Sequence, residues 1–237
     1  ISRCLTLGCG SGDLERGMCE YAFAKIHEGI DLAPAAIDNS IKMSHEKGLL
    51  SLKYKVADLN TCILEANAYD IIMAVMSLHH CMNLDHVLHQ VLSALKPNGY
   101  LFFNEYVGPN RFQYTSRQKQ VINNILDILP EKYKFLGNGK FKRIKYPTVR
   151  DIIRLDPSEA VHSAEIMEKV NHLFSIKQIK SYGGTILAPL LFEIALNFKE
   201  EDQEDQKLLN AIFAIEDALI TAGEIANDFC VVIASPK

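Results

Sequence analysis

The chain has 237 residues, 48% hydrophobic and 23% charged, with a formal net charge of −4. That composition fits a folded globular protein with a sizeable core, and the acidic balance argues against a broad nucleic-acid footprint. No apolar run approaches the roughly 20 residues needed to span a bilayer, no secretory signal leads the sequence, and the six cysteines show neither CxxC nor paired spacing, so a cytoplasmic protein without a disulfide or zinc framework is expected.

The chain begins with Ile1 rather than Met, which leaves room for a preceding segment. Ile1 to Leu7 reads as a buried strand, and Asp13 to Ala24 as a helix. A second strand runs from Ile26 to Leu32. Pro34 then takes a first-turn position, and Ile37 and Ile41 give an i, i+4 face. Leu52 to Ala57 is a third strand and Tyr69 to Leu78 a strongly apolar fourth. Asp85 to Leu95 carries Val87, Leu88, Val91, Leu92 and Leu95 on one helical face. Lys96-Pro97-Asn98-Gly99 makes a turn into a fifth strand, Tyr100 to Val107. Strands separated by helices of this length predict βαβ units and a parallel sheet.

Past Val107 the rhythm changes. Thr115 or Ser116 caps a helix with Val121, Ile122, Ile125, Leu126 and Leu129 on one face, stopped by Pro130. A basic, aromatic stretch follows, KYKFLGNGKFKRIKYP, expected as a loop or hairpin. Asp156-Pro157-Ser158-Glu159 has the cap, proline and acid of a helix start, predicting a helix to about His172. Phe174 to Tyr182 reads as a sixth strand, Thr185 to Phe198 and Lys207 to Ala222 as helices, and Phe229 to Ser235 as the last strand. The acidic run from Glu200 to Asp205 is expected to be a solvated loop. No linker is visible, so residues 1–237 are expected to form a single domain. Its parts would be a core at 1–107, helical insertions at 108–172 and 185–226, and the closing strand at 229–237.

Gly8, Gly10 and Gly12 follow the first strand in LTLGCGSGDLE. In a strand–turn–helix unit, glycines let a ligand lie against the backbone and the free N–H groups of the next helix. The spacing is G-x-G-x-G, with Asp13 where a dinucleotide fingerprint needs glycine. Asp31 and Asp58 end the second and third strands, where carboxylates can accept hydrogen bonds from ribose hydroxyls and from an exocyclic amine. Thr6 interrupts the first strand with a hydroxyl.

LGCGSG, GIDLAP, VADLN, YDIIMAVMSLHH and LKPNGYLFFNE together resemble the ordered motifs of class I S-adenosylmethionine-dependent methyltransferases. The resemblance covers roughly residues 1 to 107, and FCVVIASPK resembles the family's last, antiparallel strand. It implies an α/β, Rossmann-like, seven-stranded, mostly parallel sheet with helices on both faces. Helical insertions are expected after strand 5 and between strands 6 and 7. It further implies S-adenosyl-L-methionine as cofactor and S-adenosyl-L-homocysteine as product. The implied cofactor site comprises Thr6, Gly8, Cys9, Gly10, Gly12, Asp31, Leu32, Asp58, Leu59, Met76 and Ser77. The family places an acid where this chain has Thr6. EYVGPNRFQYT, LDPSEAVHS and YGGTIL resemble a bacterial small-molecule subgroup.

Transfer to a hydroxyl or amine requires removal of a proton, and histidine suits that task near neutral pH. His80 is the first candidate base and Glu105 the second. His79, Tyr106, Arg111 and Tyr114 are candidate acceptor contacts. No metal site is expected. The expected reaction is methyl transfer to an oxygen or nitrogen of a small metabolite, with a sugar or secondary metabolite as candidate class. One alternative is a cofactor-binding or regulatory module without turnover. Another is an RNA methyltransferase using the basic aromatic stretch, although nucleic acid is not the expected partner. No membrane partner is expected, and the protein should be a monomer or homodimer.

Overall fold

In the computed structural model, which describes residues 1–137 and 139–237, the elements of the first half follow the apolar periodicity closely. They are β1 (Arg3–Leu7), α1 (Asp13–Glu20), β2 (Ile26–Asp31), α2 (Pro34–Glu46), β3 (Leu52–Val56), β4 (Tyr69–Val75), α3 (Leu84–Ala94) and β5 (Leu95–Tyr106). The second half adds α4 (Ser116–Ile128), α5 (Glu131–Lys134), α6 (Val149–Leu155), α7 (Ile166–Leu173), β6 (Phe174–Ser181), α8 (Leu187–Leu191), α9 (Gln203–Thr221) and β7 (Phe229–Pro236).

The seven strands form one sheet in the order β3-β2-β1-β4-β5-β7-β6. β1 is parallel to β2 and β4, β2 to β3, and β4 to β5. The order reverses at β1 and β4, which opens a crevice at their carboxyl ends, where open parallel sheets bind ligands. The expected turn at Lys96–Gly99 lies inside β5, as a register shift that passes from Tyr69↔Leu95 to Ile71↔Tyr100.

The chain divides into two compact units. The first comprises Ile1–Val107, Pro157–Lys180 and Cys230–Lys237. Its core lies on the face of the sheet carrying Leu5, Leu7, Ile72, Ala74, Leu101 and Phe103, against Leu88 and Val91 of α3 and Ile166 and Val170 of α7. Pro34 stands at the start of α2, its missing N–H being one the first turn would leave unpaired in any case.

The second unit comprises Gly108–Asp156 and Ser181–Phe229, so the expected first insertion ends at 156 rather than 172. Thr115 caps α4 through a capping box with Gln118. Val121, Ile122, Ile125 and Leu126 pack against Ile186, Leu190 and Ile194. Leu196, within the expected helix, is 97% exposed. Three expectations are corrected in the second half. The helix expected from Asp156 begins only at Ser163, because Ala160 takes a positive φ of 48° that breaks the helical path. The helix expected over Thr185–Phe198 is shortened to α8 and one 3-10 turn, with Glu193 at a φ of 66° between them. The acidic run is not wholly solvated: Asp202 caps α9, and Asp205 is buried, accepting from the Tyr133 hydroxyl and the Lys199 N–H.

In the basic stretch, Phe135 and Phe141 form an antiparallel bridge of the hairpin kind. Asn138 lies outside the described residues. Tyr133 is buried and stacks on Phe198 at 4.4 Å, and Lys142 is buried with its ammonium donating to the Phe192 carbonyl.

Candidate active site

At the carboxyl end of the sheet, a cavity of about 550 Å³ is lined by Gly8, Asp31, Leu32, Asp58, Leu59, Met76, Ser77 and His80, all sequence candidates. Asn60, Cys81, Met82 and Ser158 complete the wall. Each group arrives on the loop after a different strand: Gly8 after β1, Asp31 at the end of β2, Asp58 after β3, and Met76 to Met82 after β4.

The glycine loop is shaped by its neighbours. Gly8, Gly10 and Gly12 all have positive φ, at 65°, 53° and 74°. A β-carbon on Gly12 would lie 2.6 Å from the Tyr54 hydroxyl, so that glycine lets the helix approach β3. At Gly10 a β-carbon would meet nothing within 4 Å. The Gly10 N–H donates to Asp31 Oδ2 at 2.8 Å, and the Ala33 N–H to Oδ1 at 2.9 Å. The loop and the Asp31 carboxylate therefore fix each other, while an ionised carboxylate keeps acceptor capacity for further donors. Asp58 Oδ1 is likewise held, by the Asn60 backbone and side-chain N–H groups at 2.9 Å.

Thr6, Cys9, Gly10 and Gly12 stand off the cavity wall. Thr6 is buried on β1, and Cys9 packs toward β2, its sulfur 2.9 Å from where a Gly29 β-carbon would sit. Burial pushes the Cys9 thiol up to about 12, so it is not a reactive thiolate. Glu15, which sequence reasoning missed, is fully buried on α1 beside Thr6. Burial raises its pKa, and the Thr6 hydroxyl lowers it in part. The acid missing from position 6 thus has a carboxyl neighbour from the facing helix.

Glu105 is not an acceptor-facing base. It is fully buried, and its Oε2 accepts the N–H groups of Ser77 at 2.8 Å and Leu78 at 2.7 Å. Its Oε1 accepts the Tyr106 N–H at 2.9 Å and meets His79 Nδ1. This carboxylate shapes the loop after β4. His79 is correspondingly buried rather than presented to an acceptor, between Glu105 and Glu159, whose Oε1 lies 3.4 Å from Nε2. Burial alone would lower the His79 pKa, but the two carboxyl groups outweigh it and raise it to about 9. Tyr106 is buried with its ring edge-on to His79 at 6.3 Å. His80 does reach the cavity, with Nδ1 3.2 Å from Ser158 Oγ. Arg111 and Tyr114 fall in the second unit, where Arg111 has a φ of 57° and burial pushes the Tyr114 pKa up to about 12.

Ser158 and Glu159, like Asn60, Cys81 and Met82, are site residues that sequence reasoning did not place. The helix-start signature of Ser158 and Glu159 was legible, but the turn that carries them beside the His79–His80 pair joins positions about eighty apart.

The sequence profile of a methyltransferase domain family matches residues 5–103, the span that supplies every cavity residue except Ser158. That match, to a family described as a methyltransferase domain, covers less than half of the chain. A ubiquinone biosynthesis O-methyltransferase from Coxiella burnetii is 28% identical to this chain over 100 residues, covering 42% of this chain and 42% of that protein. The chain therefore spans less than half the length of the curated relatives it matches. Among solved structures, an S-adenosylmethionine-dependent methyltransferase from Mesorhizobium loti superposes with a TM-score of 0.56 at 16% identity, covering 98% of this chain and 90% of that one. The [4+2]-cyclase SpnF does so with a TM-score of 0.57 at 16% identity, covering 99% and 75%. These likenesses establish the fold.

The cavity residues fit S-adenosylmethionine. The Gly8 backbone on the wall, two fixed strand-end carboxylates and the side chains of Leu32, Leu59 and Met82 suit a nucleoside carrying a charged amino-acid tail. The cavity is of the size that encloses a small ligand.

Proposed function

We propose that this chain transfers the methyl group of S-adenosylmethionine to an oxygen or nitrogen of a small metabolite. The observation that carries the reading is the convergence of Gly8, Asp31, Asp58 and His80 on one cavity at the strand-order reversal. When bound, the cofactor supplies an activated methyl group on a sulfonium. Asp31 would hold the ribose and Asp58, with Leu59, the adenine, while Gly8, Met76 and Ser77 border the methionine end. His80 lies on the same wall, where its imidazole can take the acceptor's proton. Such a reaction asks the protein chiefly to position the reactants and exclude water.

The name of the Coxiella burnetii relative, an O-methyltransferase, supports an oxygen acceptor. The RNA reading loses support, because Tyr133 and Lys142 of the basic stretch are buried in contacts of the second unit. The reading without turnover rests on Thr6, which is buried off the cavity wall. We place the protein in the cytoplasm as a monomer or homodimer. Its six cysteines are all unpaired, which suits a reducing compartment, and no helix among the described residues is long and apolar enough to cross a membrane.

Isothermal titration with S-adenosylhomocysteine, comparing the protein with Asp31→Ala, tests the cofactor site. The expected result is saturable one-to-one binding lost in the variant; equal binding by the two proteins overturns it. Transfer of a labelled methyl group to a component of a metabolite extract tests turnover.

A further inference from the structure

We infer that His79, His80 and Glu159 form a binding site for a zinc-class divalent transition-metal ion on the wall of the cofactor cavity. Each residue offers one ligand atom, and the three atoms lie within 4.8 Å of one another. Two imidazoles and a carboxylate are the donor set of an open three-ligand site, with the fourth position left for solvent or substrate.

Three features support the assignment. The first is spacing. His79 Nε2 and Glu159 Oε1 are 3.4 Å apart, longer than the 2.7–2.9 Å of a charge-assisted N–H···O bond. Two ligands each about 2.1 Å from a tetrahedral centre lie about 3.4 Å apart. The second is the outer shell. His79 Nδ1 meets Glu105, itself fixed by the N–H groups of Ser77, Leu78 and Tyr106. A carboxylate behind one imidazole nitrogen orients the ring and directs the other nitrogen's lone pair outward, the arrangement that supports metal-bound histidine. His80 has an outer partner as well, Ser158 Oγ at Nδ1. The third is convergence. His79 and His80 are neighbours in one 3-10 turn, yet their ring centroids are only 4.2 Å apart. Glu159 joins them from the turn that follows Asp156.

Glu105 and Glu159 stand at opposite nitrogens of the buried His79 ring, so an ion on the Nε2 side would have Glu159 and His80 as its co-ligands. Because His80 and Ser158 line the cavity, the ion's open position lies where an acceptor oxygen would sit. The binding claim is independent of methyl transfer; only the acceptor role rests on that reading, and in the metal-bound chain His80 is a ligand, its role as proton acceptor belonging to the metal-free chain.

The full chain, stripped of metal by chelator dialysis, is titrated with Zn2+ by calorimetry and with Co2+ by visible absorption. The expected result is one equivalent per chain with a cobalt d–d band. Glu159→Gln should weaken binding at least tenfold, with a melting curve showing a folded protein. The band should change in His79→Ala and persist in the control His45→Ala, whose histidine is exposed. If His79→Ala does not fold, Glu159→Gln and the stoichiometry carry the test. Absence of saturable binding, or Glu159→Gln binding as tightly as the parent, overturns the site and leaves a protonated His79 as the bridge. S-adenosylhomocysteine titration of the same metal-free samples tests the cofactor site separately.

Discussion

Ser77 closes directly over Gly8: a β-carbon at position 8 would lie 2.5 Å from the Ser77 β-carbon. Ser77 cannot step aside. Its hydroxyl donates to the Leu7 carbonyl at 2.8 Å and its N–H to Glu105 at 2.8 Å. Gly8→Ala therefore meets both a clash and left-handed backbone, the latter alone costing about 1–2 kcal/mol. Gly10→Ala bears only the backbone strain, since its β-carbon would meet open space. Thermal melts should show Gly8→Ala clearly the less stable of the two. Titration should show Gly10→Ala weakening S-adenosylhomocysteine binding indirectly, through the Asp31 carboxylate that holds the Gly10 N–H. Equal melting temperatures would remove Ser77 as the reason for the first glycine.

His80 reaches the cavity, its Nδ1 3.2 Å from Ser158 Oγ. His80→Ala should lower turnover by roughly 10²–10⁴-fold, the usual range for losing a general base. Cofactor affinity should stay within a few-fold. An unchanged rate would remove His80 from the reaction.

Glu105 acts on the loop rather than on the acceptor. In Glu105→Gln, one face of the buried side chain turns an N–H2 toward groups that now donate to a carboxylate. Each donor left unpaired costs about 1–3 kcal/mol. The expected outcome is a marked fall in melting temperature together with weaker cofactor binding, because Ser77 borders the cavity. A fall in turnover with stability and cofactor affinity intact would restore Glu105 as a base.

Asp228 should give the second unit an inverted pH response. Burial raises its pKa from 3.8 to about 6, with Glu216 adding to the rise and Thr185 opposing it. The folded state therefore holds this proton more tightly than the unfolded chain. The contribution is fully present below about pH 4 and is lost as pH climbs through 6. The shift corresponds to on the order of 3 kcal/mol. Asp228→Asn, which cannot ionise, should match the parent near pH 4 and exceed it in stability at pH 7.5. Denaturant melts at the two values check this; a gap independent of pH would contradict it.

The first half of the fold was legible because its order is local. Apolar runs became strands, Pro34 began a helix, and the residues at the strand ends met in one cavity. What escaped were features made by side chains meeting across the chain. LDPSE carries every mark of a helix start, yet Ala160 turns the backbone and sends Glu159 to His79. Glu105 and His79 read as acceptor groups because they end a strand and follow one. Nothing in their spacing reveals that backbone amides and a second carboxyl group claim them first. Glu15 was hidden in the same way, since helix periodicity alone does not mark a carboxylate as buried.

The path of the chain has a consequence for how such proteins can diversify. It leaves the sheet-bearing unit after Val107, re-enters at Pro157, leaves again after Lys180 and returns at Cys230. Every residue on the cavity wall lies outside those two excursions, and Ser158 comes just after the first return. A change of length or sequence within either excursion therefore replaces no residue of the cavity wall.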